Sequence, residues 1–385
     1  MTPRPFALAA LALLAVAPRP VSARQEAPKP KGDAPRAFAS RAELNAHFDA
    51  EFLQVDRRRI SDLAALAAKL TGPEADLTYQ DVFNLAVARD QYDAAEPAAE
   101  TYLSGTKGDP RTRALASFVE IIAASNRGEY DVATERLGRF LKASAVTAAP
   151  KPGSEGAPQA LDPATFYAVG EAFVQRLIRA GRYDVARKVC SMFAGGPLDA
   201  SVKSHFEGRL GRIERLGKPA PKLEAKDIDG NPVSLDALKG KVVLVDFWAT
   251  WAPPCLAEIP HYNALAAQYK GKDFAIIGVD LDAMRTGISA ADTTKIYGQL
   301  REFLVNQRVA FPVVMDAPGK SSLVEAYGVT DIPANFLIGR DGKVQHVELT
   351  GPELDKAIAE ALGGETRPGK INAPVSAKGA TPAKP

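Results

Sequence analysis

Two cysteines, four histidines and two tryptophans are all that this chain of 385 residues carries of those types, and each scarcity excludes something. Cys190 and Cys255 lie about 65 positions apart, so one disulfide is the most the chain could form and a disulfide-stapled scaffold is ruled out. The histidines, His47, His205, His261 and His346, are scattered with no ligand spacing between them, so no zinc or other metal site is expected. Charge of one sign is also missing: 48 Lys and Arg stand against 46 Asp and Glu, a formal net charge of +2. No field of that size would hold nucleic acid or an anionic membrane. A glycine-rich phosphate loop and a G-x-S-x-G elbow are both absent from the sequence, leaving no sign of a nucleotide, another cofactor or a serine nucleophile.

Long apolar runs are scarce as well. The longest, Phe6 to Ala17, is about a dozen residues, short of the roughly 20 that span a bilayer. It follows Arg4 and precedes Pro18, Pro20 and the small-residue sequence Val21-Ser22-Ala23. This is the layout of a cleavable signal peptide over residues 1–23. Cleavage would leave an exported protein, periplasmic or secreted, with no integral membrane segment. Residues 24–37 and 364–385 are rich in Pro, Lys, Gly and Ala with little to bury, and read as a disordered linker and a disordered tail. The whole chain has the 46% hydrophobic and 24% charged composition of ordinary globular proteins, and what remains is long enough for two domains.

Residues 38–216 repeat apolar side chains at helical spacing, as in Leu63, Leu66 and Leu70, or Phe118, Ile121 and Ile122, and should be all helix. Three segments are alike: R-D-Q-Y-D-A-A around Tyr92, R-G-E-Y-D-V-A around Tyr130 and A-G-R-Y-D-V-A around Tyr183. Each reads as a turn entering a new helix. The intervals are 38 and 53 residues, the second lengthened by a Pro/Gly-rich insertion from Ala148 to Pro163. Gly128, Tyr130 and Ala133, then Gly181, Tyr183 and Ala186, give this region a resemblance to the tetratricopeptide family. The period is longer than that family's, and the first copy has Asp90 where the others have glycine. Stacked helical hairpins of this kind suit a scaffold or a peptide-docking surface.

From Gly217 to Gly363 the pattern becomes strands alternating with helices. Lys241 to Phe247 and Asp273 to Val279 are continuous apolar runs suited to strands buried on both faces. Helices are expected over Pro260 to Tyr269, Thr293 to Gln307 and Pro352 to Leu362, with a hairpin formed by Ala334 to Ile338, the R-D-G turn and Lys343 to Leu349. The order βαβαββα predicts an α/β fold, a central mixed sheet flanked by helices.

Within this half stand G-K-P-A-P, then L-K-G-K-V-V-L-V-D-F-W-A-T-W, P-C-L-A-E-I-P, and G-V-T-D-I-P-A-N-F-L-I-G-R-D-G-K-V. On these motifs the region resembles the TlpA/ResA-like thioredoxin-fold group, which overlaps the broader redoxin and peroxiredoxin-like (AhpC/TSA) class. The resemblance implies thiol-disulfide exchange by two cysteines at i and i+3. The first would be a thiolate at a helix N-terminus and the second would resolve the mixed disulfide. Here the first position is Ala252; only Cys255 is present. The resemblance further assigns Asp246 as the buried acid beneath the disulfide, Glu258 as a second proton carrier, Trp251 as the aromatic before the first thiol, and Ile332-Pro333 as the cis-proline segment that positions a substrate strand. Asn335 replaces a commoner threonine, and Asp282 to Thr293 lengthens a loop. Read without the resemblance, Asp246 is a polar group at a strand end, Glu258 a first-turn acid favoured by the helix dipole, and Cys190 a small core residue.

Four functional readings follow from Ala252. The region binds exported protein or peptide clients along a groove near Trp251 and Ile332-Pro333, without exchange chemistry; or Cys255 works alone as a monothiol, peroxidase-like or through a mixed disulfide. Otherwise Cys190 partners Cys255 across the two halves, or the family's dithiol function persists against the residues. Binding is the principal expectation and the monothiol its alternative. Neither the client nor the oligomeric state is specified by the sequence.

Overall fold

The computed structural model describes residues 36–105, 108–147, 161–284, 290–317 and 322–363. The expected signal peptide, nearly all of the linker and insertion, and the tail lie outside these residues. Among the described residues no helix is long and apolar enough to cross a membrane.

Eight helices come first: α1 (Arg41–Ala67), α2 (Gly72–Ala88), α3 (Tyr92–Ser104), α4 (Pro110–Asn126), α5 (Tyr130–Thr147), α6 (Pro163–Arg179), α7 (Tyr183–Gly195) and α8 (Ala200–Ile213). Helix starts follow capping chemistry. Ser40, Asp109, Asp162 and Asp199 each accept a backbone N–H of the first turn, and Pro110 and Pro163 sit where the missing N–H costs nothing. The helices pack chiefly on their sequence neighbours. In α1 the buried residues are Ile60 and Ala67, whereas Leu66 is exposed and Leu70 lies past the helix end. Of the expected Leu63, Leu66, Leu70 stripe only Leu63 faces the core, together with Ile60, Ala64 and Ala67 at the i, i+3, i+4, i+7 spacing of one helix face.

The three similar segments form one repeated turn. Asp90, Gly128 and Gly181 all have positive φ (53°, 78° and 68°). The following N–H groups of Gln91, Glu129 and Arg182 return to Ala86, Ala124 and Leu177 carbonyls at 2.8–2.9 Å, the hydrogen bond that closes a Schellman cap. Three residues into each next helix, Ala95, Ala133 and Ala186 are fully buried, as a close helix crossing requires. Asp90 thus occupies a left-handed position that its relatives in the chain give to glycine. Its ion pair to Arg176 is long, at 3.7 Å, and exposed, so it returns little. Asp90→Gly is expected to stabilise the protein by about 0.5–1 kcal/mol, read as a higher midpoint in thermal or urea unfolding; a lowered midpoint would show that Asp90 holds the turn through its side chain.

The remaining elements are a small antiparallel pair, β1 (Glu224–Lys226) and β2 (Pro232–Ser234), then β3 (Val242–Trp248), α9 (Pro253–Gln268), β4 (Phe274–Asp280), α10 (Ala290–Asn306), β5 (Val313–Met315), α11 (Leu323–Tyr327), β6 (Ala334–Ile338), β7 (Val344–Val347) and α12 (Gly351–Ala361). The main sheet has the order β5-β4-β3-β6-β7, with β3, β4 and β5 parallel and β6 and β7 antiparallel. It is the expected mixed sheet. All seven residues of β3 are buried. Alternation along β3 sends Asp246 toward Tyr262 of α9 and Trp248 toward Phe303 of α10, while Phe247 meets Tyr327 of α11. Helices therefore cover both faces.

The order differs from the expected βαβαββα, because β5 and α11 stand between α10 and β6, and α9 and α10 begin earlier than expected, α10 at Ala290 instead of Thr293. Helix α9 begins at Pro253, not Pro260, because prolines are tolerated in a first turn, and Pro260 is carried inside the helix. Strands β1, β2 and β5 and helix α11, of three to five residues, are too short to show a period. The segment before β1 pairs with the sheet's outer edge: Gly217 N–H donates to Val344, whose N–H donates to Lys218, at 2.8 and 3.0 Å.

Candidate functional site

The C-terminal end of β3 runs into a turn and then into α9, and this junction carries most of the residues singled out from sequence. The turn is fastened by Asp282, which accepts from the N–H and the hydroxyl of Thr250 at 2.9 and 2.6 Å. Trp251, next along, is 36% exposed. Ala252 is the N-cap of α9 (φ −102°, ψ 98°). Its methyl can neither cap the helix nor act as a nucleophile. The pairing of Phe247 with Ala334 brings the cis Ile332–Pro333 bond to the same end of the sheet, one residue beyond Ala334. Ile332 and Pro333 are half-buried.

Cys255, in the first turn of α9, is 3% exposed. Burial, reinforced by the nearby Asp246, pushes its pKa up to about 12. A helix N-terminus ordinarily favours a thiolate, but here desolvation outweighs that and the thiol stays protonated at neutral pH. Cys190 is likewise buried and pushed to about 12, again mainly by burial. The two cysteines are free and do not bridge.

Beneath Cys255 lies a polar chain. Asp246 is 4% exposed, and burial lifts its pKa to about 7 against the opposing hydrogen bond from Tyr262, whose hydroxyl donates at 3.2 Å. Asn335, the cross-strand partner of Asp246, places its amide nitrogen 3.5 Å from the Tyr262 hydroxyl and donates to the Leu349 carbonyl at 2.8 Å. The departure from threonine at this position thus has a structural role: an amide reaches a carbonyl that a hydroxyl would not. Tyr262 went unrecognised in the sequence. The available signal was its position seven residues after Cys255, two turns along the same helix face.

Glu258 stands apart from this chain. It is half-buried and pairs with His261 Nδ1 at 3.5 Å, while His261 Nε2 meets Asp355 of α12 at 2.7 Å. The hydrogen bond to Glu258, and then that to Asp355, hold the imidazole pKa above its ordinary value despite partial burial. Glu258 still contributes to raising the Asp246 pKa. Among the described residues no group of three His, Cys, Asp or Glu side chains is disposed to hold a metal.

The site so described can hold a proton on a carboxyl group, bury a thiol and present an aromatic and a cis-proline segment at one sheet end. The chain is similar to several known proteins. Residues 216–347 match the AhpC/TSA family. The thiol-disulfide oxidoreductase ResA of Bacillus cereus is 34% identical over 159 residues, covering 41% of this chain and 83% of that protein. ResA of Bacillus subtilis is 36% identical over 154 residues, 39% of this chain and 78% of the relative. A crystal structure of a thiol:disulfide interchange protein of the thioredoxin family from Chlorobium tepidum is 30% identical, covering 38% of this chain and 96% of that one with a TM-score of 0.31. At 34–36% identity over about four-fifths of the length of ResA, the chain belongs to the TlpA/ResA-like family of thiol-disulfide oxidoreductases.

Proposed function

We propose that this member of the family has lost dithiol exchange and acts outside the cytoplasm by binding extended segments of protein or peptide clients along the surface formed by Trp251 and Ile332-Pro333. The observation that carries the reading is the pairing of Ala252 at the N-cap of α9 with a Cys255 that is buried and held protonated. One residue removes the attacking thiol; its environment silences the other. What stays accessible is an aromatic ring and a segment of backbone beside the sheet end, the parts by which an extended strand can be held. Export is supported by the layout of residues 1–23.

The test is alkylation of the protein recovered from the extracytoplasmic fraction, whose intact mass should correspond to a chain beginning at Arg24. Native Cys255 is expected to resist iodoacetamide up to about pH 9 and to react in urea at the rate of a free thiol with the ordinary value near 8.5. Rapid native labelling of Cys255 that Cys255→Ser abolishes would overturn the binding reading in favour of monothiol chemistry.

A further inference from the structure

Where α8 meets the sheet domain, six charged side chains are gathered with little access to water. Arg209 and Arg212 of α8 both pair with Glu348, which follows β7. Arg209 also pairs with Glu171 of α6, its Nε donating at 2.9 Å. Arg212 reaches Asp331 at 2.7 Å and the Thr330 hydroxyl at 3.2 Å. His205, also on α8, lies between Glu171 and Asp331, each carboxylate 2.5 Å from one ring nitrogen. A neutral imidazole carries a single N–H, so only the imidazolium satisfies both. The three cations and three anions then balance, as buried charges must. Gly208 completes the contact, since a Cβ there would overlap the Thr330 side chain.

Two features of this cluster point beyond interface stability. Asp331 is the residue immediately before the cis Ile332–Pro333 bond. Glu348 has a positive φ of 58°, unfavourable for a non-glycine residue, and it precedes the Leu349 carbonyl that anchors Asn335 in the polar chain reaching Asp246 through Tyr262. Both contacts of α8 therefore fall on backbone that shapes the sheet end where Trp251 and Pro333 lie.

We propose that α8 of the helical region is a positioning element for the client-binding surface: Arg212 and His205 fix residues 330–333 through Asp331, and Arg209 and Arg212 fix the backbone at Glu348. The binding surface is thus assembled only when the helical region is docked. This rests on the peptide-binding reading above for its functional consequence, though not for the positioning itself.

The experiment uses the full chain with Arg212→Met, Arg212→Lys and Asp331→Asn, hydrogen exchange of the peptides covering residues 329–336, and binding of reduced, carboxymethylated α-lactalbumin as an unfolded probe. Arg212→Met is expected to speed exchange at 329–336 by about tenfold or more while peptides from β3 and β4 keep their protection, and to weaken probe binding to a similar degree. Arg212→Lys, which keeps the charge but loses the planar fork, should fall between the two. Unchanged exchange at 329–336 in Arg212→Met would overturn the proposal. Should Arg212→Met also deprotect β3 and β4, Asp331→Asn decides in the same way, because Asp331 is the more exposed partner. If the segment loosens but the parent protein never holds the probe, the peptide-binding reading is refuted while the positioning role stands.

Discussion

Ala252→Cys is expected to raise the rate at which the protein reduces insulin disulfides by on the order of 100-fold over the parent. The backbone at Ala252 is extended (φ −102°, ψ 98°) and takes a cysteine without strain, although the position is only 6% exposed. A thiol there would stand one helical turn from Cys255, at the i, i+3 separation where α-carbons fall within disulfide range. It would also sit against the positive end of α9, although Pro253 and Pro254 withhold two of the N–H groups that usually stabilise such a thiolate. A pKa near 8 is therefore expected, not one several units lower. Against the value of about 12 at Cys255, the thiolate fraction at pH 7 rises by about four orders of magnitude. The weaker nucleophilicity of the less basic thiolate takes back about two. The net gain in attack rate is on the order of 100-fold, read by insulin turbidity with dithiothreitol as reductant. A variant whose mass shows the new disulfide forming but whose rate stays at background would mean that substrates cannot reach the N-cap, and would count against client binding there.

The second large effect concerns Asp246. Its carboxyl titrates at about 7 when folded because burial disfavours the charge, against about 4 when unfolded. The folded protein therefore holds this proton more tightly than the unfolded chain does. By linkage, stability is greatest below about pH 4 with respect to this group and falls as pH rises through about 7, by about 4 kcal/mol when fully ionised. Asp246→Asn removes the titration. The amide oxygen can still accept from Tyr262, but the buried NH2 lacks an assigned acceptor, which costs part of the gain. A net stabilisation of about 1–3 kcal/mol at pH 8 is expected, with a smaller or reversed difference at pH 4.5, measured by urea unfolding of both proteins. Parallel stability profiles of the two from pH 4.5 to 8 would show that Asp246 is not the titrating group. The cost is informative about function. A carboxyl retained at such expense beneath a buried thiol is accounted for by the chain Asp246, Tyr262, Asn335 and Leu349, which ties β3, α9 and β6 together at the site.

Local pattern made much of this readable in advance. The apolar run of β3 specified a strand covered on both faces, and all seven residues are buried. The repeated Gly-x-Tyr turns specified helix ends that share one cap geometry, and the exception at Asp90 adopts the same positive φ. Ala252, Cys255, Trp251 and Pro333 were recognisable because the motifs that carry the family resemblance assign them to one turn and one loop. Glu258 shows the converse. Its spacing from Cys255 is right, yet its carboxylate is engaged by His261, which in turn is held by Asp355, 94 positions away in sequence.

The sequence by itself determined that the second half is a thioredoxin-like sheet flanked by helices, that the first half is helical, and that a nucleophile is missing at position 252. The helical half and the α/β order follow from periodicity and turn chemistry, and the thioredoxin-like fold and the alanine at the first-thiol position from the motifs that carry the family resemblance, all of which are legible over a few neighbouring residues. Only the tertiary structure decided that Cys255 is protonated, that Asp246 titrates near neutrality, and that α8 grips Asp331 and Glu348. Each of those depends on how much water is excluded and which charges are brought close by chain segments far apart in sequence, and Coulomb and desolvation energies are set by distance in space.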